Sequence, residues 1–211
     1  MQVQGVLFDL DGVLIDSTAG VTRVWRDWAR RHNLDPDTTA HTAHGCRAID
    51  TVRLLAPQLD AEAELRDLEQ REIDDSYDVV VFDGAADLLL SLPPLRWAIV
   101  TSGTKALARH RLVVAGLPVP DLMITGSDIQ NGKPHPEPYL RGASLLGLPP
   151  AACVAVEDAP SGVRSGLDAG MPVLAIPTTY PVSELAAATA LLPSLSALRA
   201  TILRDCIQLN W

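Results

Sequence analysis

Val3-Gln4-Gly5-Val6-Leu7-Phe8-Asp9-Leu10-Asp11-Gly12 sets the reading of the whole chain. Val3 to Phe8 is a short, mostly apolar run ending abruptly in an acid, the pattern of a strand buried on both faces. The same shape recurs downstream. Trp97–Val100 ends in Thr101-Ser102-Gly103, and Cys153–Val156 ends in Glu157-Asp158. Val173–Ile176 and Leu122–Thr125 are further strand candidates, and helical stretches over 84–92, 105–115, 136–146 and 161–169 separate them. Strands alternating with helices predict an α/β fold built on a Rossmann-like, doubly wound parallel sheet. Polar residues cluster just after the strands, where open α/β sheets bind ligands.

Residues 17–81 break this alternation. Apolar residues there recur at helical spacing: Val21, Val24, Trp25 and Trp28, then Ile49, Val52 and Leu55, then Leu65 and Leu68, with Pro36 and Pro57 as punctuation. The expectation is an all-helical cap over 17–81, inserted between the first and second strands of a core formed by 1–16 and 82–211. Trp25 and Trp28 are expected in the insert's own core, the alternative being contact with a bound substrate.

Composition narrows the classes of function. The 211 residues are 47% hydrophobic and 20% charged, as in ordinary globular proteins. A net charge of −9 argues against nucleic-acid and anionic-membrane partners, although it is compatible with a local basic pocket. The N-terminus lacks the basic segment of a secretory signal, and no apolar run reaches the roughly 18 residues of a membrane span. Cys46, Cys153 and Cys206 are scattered and lack metal-ligand spacing, which reads as reduced thiols in a cytoplasmic protein.

Four clusters carry chemistry. In Asp9-Leu10-Asp11-Gly12, Gly12 lets the chain turn so that two carboxylates stand together. Such a pair can share a divalent cation, one acid attacking phosphorus and the other protonating the leaving oxygen. The alternative is a plain acidic turn. In Thr101-Ser102-Gly103-Thr104, hydroxyls and open backbone N–H groups before a helix suit a phosphate, or simply cap that helix. In Gly132-Lys133-Pro134-His135-Pro136-Glu137-Pro138-Tyr139, alternate prolines stiffen the loop that presents Lys133 to phosphoryl oxygens, against the alternative of an unrelated surface lysine. His135 reads as structural. In Glu157-Asp158-Ala159-Pro160-Ser161-Gly162, adjacent acids at a strand end fit a hard-cation site, or Asp158 or Ser161 caps the next helix.

In this order and at successive strand ends, the clusters resemble the four motifs of the haloacid dehalogenase superfamily, matched by DLDGVLIDS, VTSGT, GKPHPEPY and VEDAPSG. The resemblance covers essentially the whole chain. It implies that Asp9 is the nucleophile and Asp11 the general acid/base. It further implies Mg2+ held by Asp9, the Asp11 backbone carbonyl and Asp158, with Glu157 in or just behind that shell. Thr101 and the Ser102 backbone would bind the phosphoryl group, and Lys133 would neutralise it. Asp11 argues against dehalogenation, which needs no leaving-group proton. The absence of lysine from the insert argues against phosphonate hydrolysis.

More narrowly, WRDW, HGCRAID, WAIVTSGT and KPHPEPYL resemble the glycerol phosphatase and 2-deoxyglucose-6-phosphate phosphatase branch. Cys46 departs from the bulkier residue common there. The substrate implied is a small sugar or polyol phosphate; the alternatives are a sugar-phosphate mutase of the same superfamily or a non-catalytic binding protein. Within the cap, Arg47 and Asp50 fall on one helical face with Thr51. They are read as substrate contacts, against the alternative of a local ion pair.

Overall fold

The structure is a computed structural model describing residues 1–211. The decisive apolar run serves two sheets, because β1 (Gln2–Val3) and β2 (Gly5–Phe8) part at Gln4. After β3 (Ile15–Asp16) come four helices, α1 (Thr18–Arg31), α2 (Pro36–Ala43), α3 (Ala48–Leu55) and α4 (Ala61–Asp74). β4 (Val80–Val81) then pairs antiparallel with β3. The alternating part continues through α5 (Ala85–Ser91), β5 (Trp97–Val100), α6 (Lys105–Val114), β6 (Met123–Ile124) and α7 (Glu137–Leu145). It ends with β7 (Cys153–Glu157), α8 (Pro160–Asp168), β8 (Val173–Ala175), β9 (Ala190–Leu191), β10 (Arg199–Ile202) and β11 (Ile207–Asn210).

The main sheet has the order β6-β5-β2-β7-β8-β9, with all pairs parallel. From β2 the chain builds outward through β5 and β6, then returns through α7 to lay β7 on the other side of β2. The winding therefore reverses at β2, and ligands of such sheets sit beyond the strand ends at that reversal. Asp9 directly follows β2.

A two-residue period sorts the strand side chains between two cores. Val6, Phe8, Ile99, Val156 and Leu174 pack with Leu88 and Leu89 of α5 and Ala108 and Leu112 of α6. Leu7, Ala98, Val100, Ala155 and Val173 pack instead with Tyr139 and Ala143 of α7 and Val163 of α8. Both faces are covered, so the strands read as unbroken apolar runs. Against this layer α7 lies close because Gly142 has no side chain; a Cβ there would stand 2.8 Å from Val100 Cγ2 and 3.1 Å from Leu7 Cδ1.

Helices α1–α4 gather around their own core, which includes Val21, Val24, Trp25, Trp28, Val52 and Leu68. The two indoles meet edge to face at 5.4 Å, and Trp28 donates its N–H to Glu64 at 2.7 Å. The prolines punctuate with a reason. Asp35 caps α2 by accepting from the Thr38 N–H, and Pro36 follows in the first turn, where no amide hydrogen is needed. No helix is long and apolar enough to cross a membrane.

One sheet was not foreseen from the sequence. β1, β11 and β10 form a three-stranded antiparallel sheet, and the Met1 amine donates to the Leu209 carbonyl at 2.8 Å. Only Ile207 and Leu209 of β11 are fully buried, so its alternation is short and weak as a signal.

The close α7 contact yields a test. Gly142→Val places a stiff branched side chain against Val100, which is fully buried in β5 and has no room to yield. Overpacking of this kind costs about 1–3 kcal/mol, so the urea midpoint should fall with an unchanged slope. An unshifted midpoint would show that α7 stands off the sheet.

Candidate active site

The ends of β2, β5 and β7 and the loop after β6 bring four buried groups together. Lys133 Nζ donates to Asp9 Oδ1 at 2.6 Å, to Glu157 Oε1 at 2.6 Å and to the Val100 carbonyl at 3.0 Å. An ammonium has three protons, and all three are engaged. Burial alone would lower the affinity of Lys133 for its proton, but Asp9 and Glu157 outweigh burial and raise it. Lys133 is thus a fixed cation, and the surface-lysine alternative is overturned: it is 4% exposed.

Glu157 has both oxygens occupied. Oε1 also accepts from the Tyr139 hydroxyl at 2.6 Å, and Oε2 accepts from the backbone N–H groups of Asp158 and Ala159 at 3.1 and 3.4 Å. Gly162, in the first turn of α8, makes room for this carboxylate, since any Cβ there would overlap it. Glu157 therefore holds Lys133 from behind. Neither Asp158 nor Ser161 caps α8; Ala159 occupies that position without a side-chain bond.

Asp9 is pushed up to about 7, first by burial and then by Glu157 and Asp11, against the pull of Lys133. Asp158 is raised as well, by burial and by Asp9 and Glu157. Its buried Oδ1 has no hydrogen-bond partner. Asp9, Glu157 and Asp158 bring carboxylate oxygens within 4.8 Å of one another. With Glu157 already engaged, the two strained acids and the orphaned oxygen fit a hard cation between Asp9 and Asp158. Gly12 is required twice over: its φ is +84°, and a Cβ would collide with the Asp158 carboxylate.

Asp11 stands beside this group rather than in it. Its Oδ1 accepts from Ser17 Oγ at 2.7 Å and from Arg111 Nη1 at 2.9 Å. Thr101 is buried, and its Oγ1 accepts from the Gly103 N–H at 3.1 Å. Ser102 Oγ donates to the Gly45 carbonyl of the insert at 3.0 Å. The helix after them is capped by Thr104, whose hydroxyl accepts from the Leu107 N–H, so the cluster does cap its helix while Thr101 and Ser102 stay at the cavity wall. His135 is structural in its bonds, its Nδ1 accepting from the Glu137 N–H and its carbonyl from Ser165.

Arg47 and Asp50, the expected substrate contacts on the insert, pair with each other. Arg47 Nε and Nη2 grip both Asp50 oxygens at 2.7 and 2.9 Å, and the guanidinium also donates to the carbonyls of Ile129 and Gln130 at 3.0 and 2.7 Å. The pair fastens α3 to the loop beyond β6. Arg47 lines the cavity with its donors engaged, and Asp50 lies outside the lining. The ion pair of the alternative reading is present, and Arg47 bonds to the core as well.

A cavity of about 270 Å³ opens from Asp9, Asp11 and Asp158 toward the insert. Thr101, Ser102 and Arg111 line it from the core; Trp25, His44, Glu62, Glu69 and Glu72 line it from the insert. Trp25 therefore serves both alternatives, insert core and cavity wall. Arg111 and Glu72 were missed from the sequence. The signal was there: Arg111 follows Leu107 by four residues and Glu72 follows Leu68 by four, each placing a charge on the apolar face of its helix.

The chain is similar to several known proteins. A family model described as haloacid dehalogenase-like hydrolase matches residues 3–170. Hexitol phosphatase A of Escherichia coli is 46% identical over 181 residues, covering 83% of this chain and 84% of that protein. Glycerol-1-phosphate phosphohydrolase 1 of Saccharomyces cerevisiae is 34% identical over 198 residues, covering 88% and 79%. The crystal structure of β-phosphoglucomutase from Clostridium difficile superposes with a TM-score of 0.80 at 21% identity, covering 93% of each chain, a likeness of fold.

The bonding around Glu157 supplies a test that needs no substrate. Tyr139→Phe removes one donor from a buried carboxylate, a loss of about 1–3 kcal/mol. Denaturant unfolding should show that loss, and an unchanged stability would mean that Tyr139 contributes packing alone.

Proposed function

The chain belongs to the haloacid dehalogenase-like hydrolase family, and we propose that it is a Mg2+-dependent phosphomonoesterase acting on a small sugar or polyol phosphate through an aspartyl-phosphate. The observation that carries this reading is the buried Asp9–Lys133 pair at the winding reversal, opening beside Asp158 into the cavity between core and insert.

Asp9 attacks phosphorus with one carboxylate oxygen while the bond to the ester oxygen breaks. Asp11 gives its proton to that oxygen, and the alcohol leaves. Asp11 then takes a proton from a water molecule, which attacks the phosphoryl group on Asp9 and restores the carboxylate. Lys133 keeps its charge throughout and neutralises the developing negative charge beside Asp9. Thr101 and the Ser102 backbone hold the phosphoryl oxygens, with Glu157 maintaining the position of Lys133. Asp9, Asp158 and the Asp11 backbone carbonyl would hold Mg2+, which supplies further neutralisation of the phosphoryl charge. The helical insert over 17–81 acts as a cap that keeps water out of the cavity.

The charge inventory of the cavity favours hydrolysis over a mutase. Its wall carries six carboxylates, Asp9, Asp11, Glu62, Glu69, Glu72 and Asp158, and two arginines, Arg47 and Arg111, each already ion-paired. A second phosphate, which a mutase must seat, finds no free cation.

Phosphate release from a panel of sugar and polyol phosphates should require Mg2+ and cease after chelation; undiminished turnover without metal would remove this mechanism. Asp9→Asn should lower kcat by about 10³-fold or more while leaving the fold intact by circular dichroism. Asp11→Asn should slow alkyl phosphates by about 10²–10⁴-fold. It should spare the first step with an aryl phosphate, whose leaving group departs as the anion. Equal losses on both substrate types in single-turnover assays would contradict the acid role.

A further inference from the structure

A buried run of charge crosses from the core to the insert. Arg111, on the inner face of α6, is 4% exposed. Its Nη1 donates to Asp11 at 2.9 Å and its Nη2 to Glu72 Oε2 on α4 at 2.8 Å. Its Nε is buried with no partner. Arg111 and Glu72 both line the cavity, with Trp25 beside them. Buried ion pairs add little stability over apolar residues of the same volume, so stability alone does not account for one here.

Resting on the phosphatase reading above, we propose that Arg111 and Glu72 recognise a hydroxyl on the carbon next to the phosphorylated carbon, so that the substrates are open-chain polyol phosphates. The leaving oxygen must lie at Asp11 to receive its proton. Arg111 touches Asp11, so the next substituent along the substrate lies at Arg111 and Glu72. A hydroxyl both accepts and donates, matching the guanidinium donor and the carboxylate acceptor together. A methylene leaves the Arg111 Nε–H, which has no partner in the protein, without one in a buried site. An amine is repelled by Arg111, and a second phosphate by Glu72 and Asp11. A pyranose 6-phosphate offers a ring oxygen at this position, which accepts but donates nothing. Reduced, linear sugars therefore fit and their cyclic parents do not.

The test uses two isomers, 1,2-propanediol 1-phosphate and 1,3-propanediol 1-phosphate, which differ only in where the hydroxyl sits. Phosphate release by the full chain with Mg2+ should favour the 1,2 isomer by about a hundredfold in kcat/KM, because a site built for a hydroxyl rejects analogues that lack it. In the double variant Arg111→Met with Glu72→Leu, which leaves no lone charge between α4 and α6, the ratio should fall below about threefold. Any general slowing from the changed surroundings of Asp11 affects both isomers and cancels in the ratio. Release from both isomers at equal kcat/KM by the unmodified protein would overturn the inference and leave the phosphatase reading standing. A preference retained by the double variant would overturn the assignment to these two residues. Release from neither isomer, nor from any other phosphomonoester, would sink the phosphatase reading and the inference with it. The comparison on the unmodified protein stands even if the double variant fails to fold.

Discussion

Everything at the mouth of the sheet depends on one ammonium group. Lys133 lies between Asp9 and Glu157, out of contact with water, and three acids of the same cluster lie within a few ångströms of it. Removing a carboxylate from water is expensive unless a partner compensates, and one cation cannot compensate three anions. The strain is distributed unevenly. Glu157 receives the cation, a phenol and two backbone amides, while Asp158 keeps an oxygen with no partner. A stable acid behind the site and, in front, two acids strained by burial, one of them with an unpartnered oxygen, give the cluster a direction. Its unmet electrostatic demand faces the cavity.

The fold meets that demand by clearing space. Gly12 and Gly162 each stand where a side chain would overlap one of the acids, and Gly142 lets α7 carry Tyr139 close under the sheet. The glycines act on different elements, yet they converge on the same few atoms. Close backbone approach, rather than any one hydrogen bond, is what allows so many charges to share so small a volume.

The sequence displayed the parts of this arrangement that depend on local pattern. Apolar runs ending in Asp9, Thr101 and Glu157 announced strands with polar ends, because a strand buried on both faces is apolar along its length and admits polar groups only near its end. The terminal antiparallel sheet was hidden because its strands are short and half polar, and their pairing joins residues some two hundred positions apart. Arg47 shows a different limit. Helical spacing placed it next to Asp50 correctly, but spacing is silent about Ile129 and Gln130, whose carbonyls engage the remaining donors. Arg111 and Glu72 could have been noticed as charges on apolar helix faces; that they face each other is a property of the tertiary fold alone.

The insert enters and leaves the core through a ribbon only two residues long, Ile15–Asp16 paired with Val80–Val81. In evolutionary terms such a junction makes the helical segment a cassette: two cuts exchange the cavity wall that the insert supplies and leave the Asp9–Lys133 cluster of the core in place. Diversification by this route meets one restriction. Arg111 belongs to the core and Glu72 to the insert, so a foreign cassette lacking an acid at that place would strand a buried guanidinium between the two parts. New specificities in this lineage should then arise in pairs, a change on α4 answered by a change on α6.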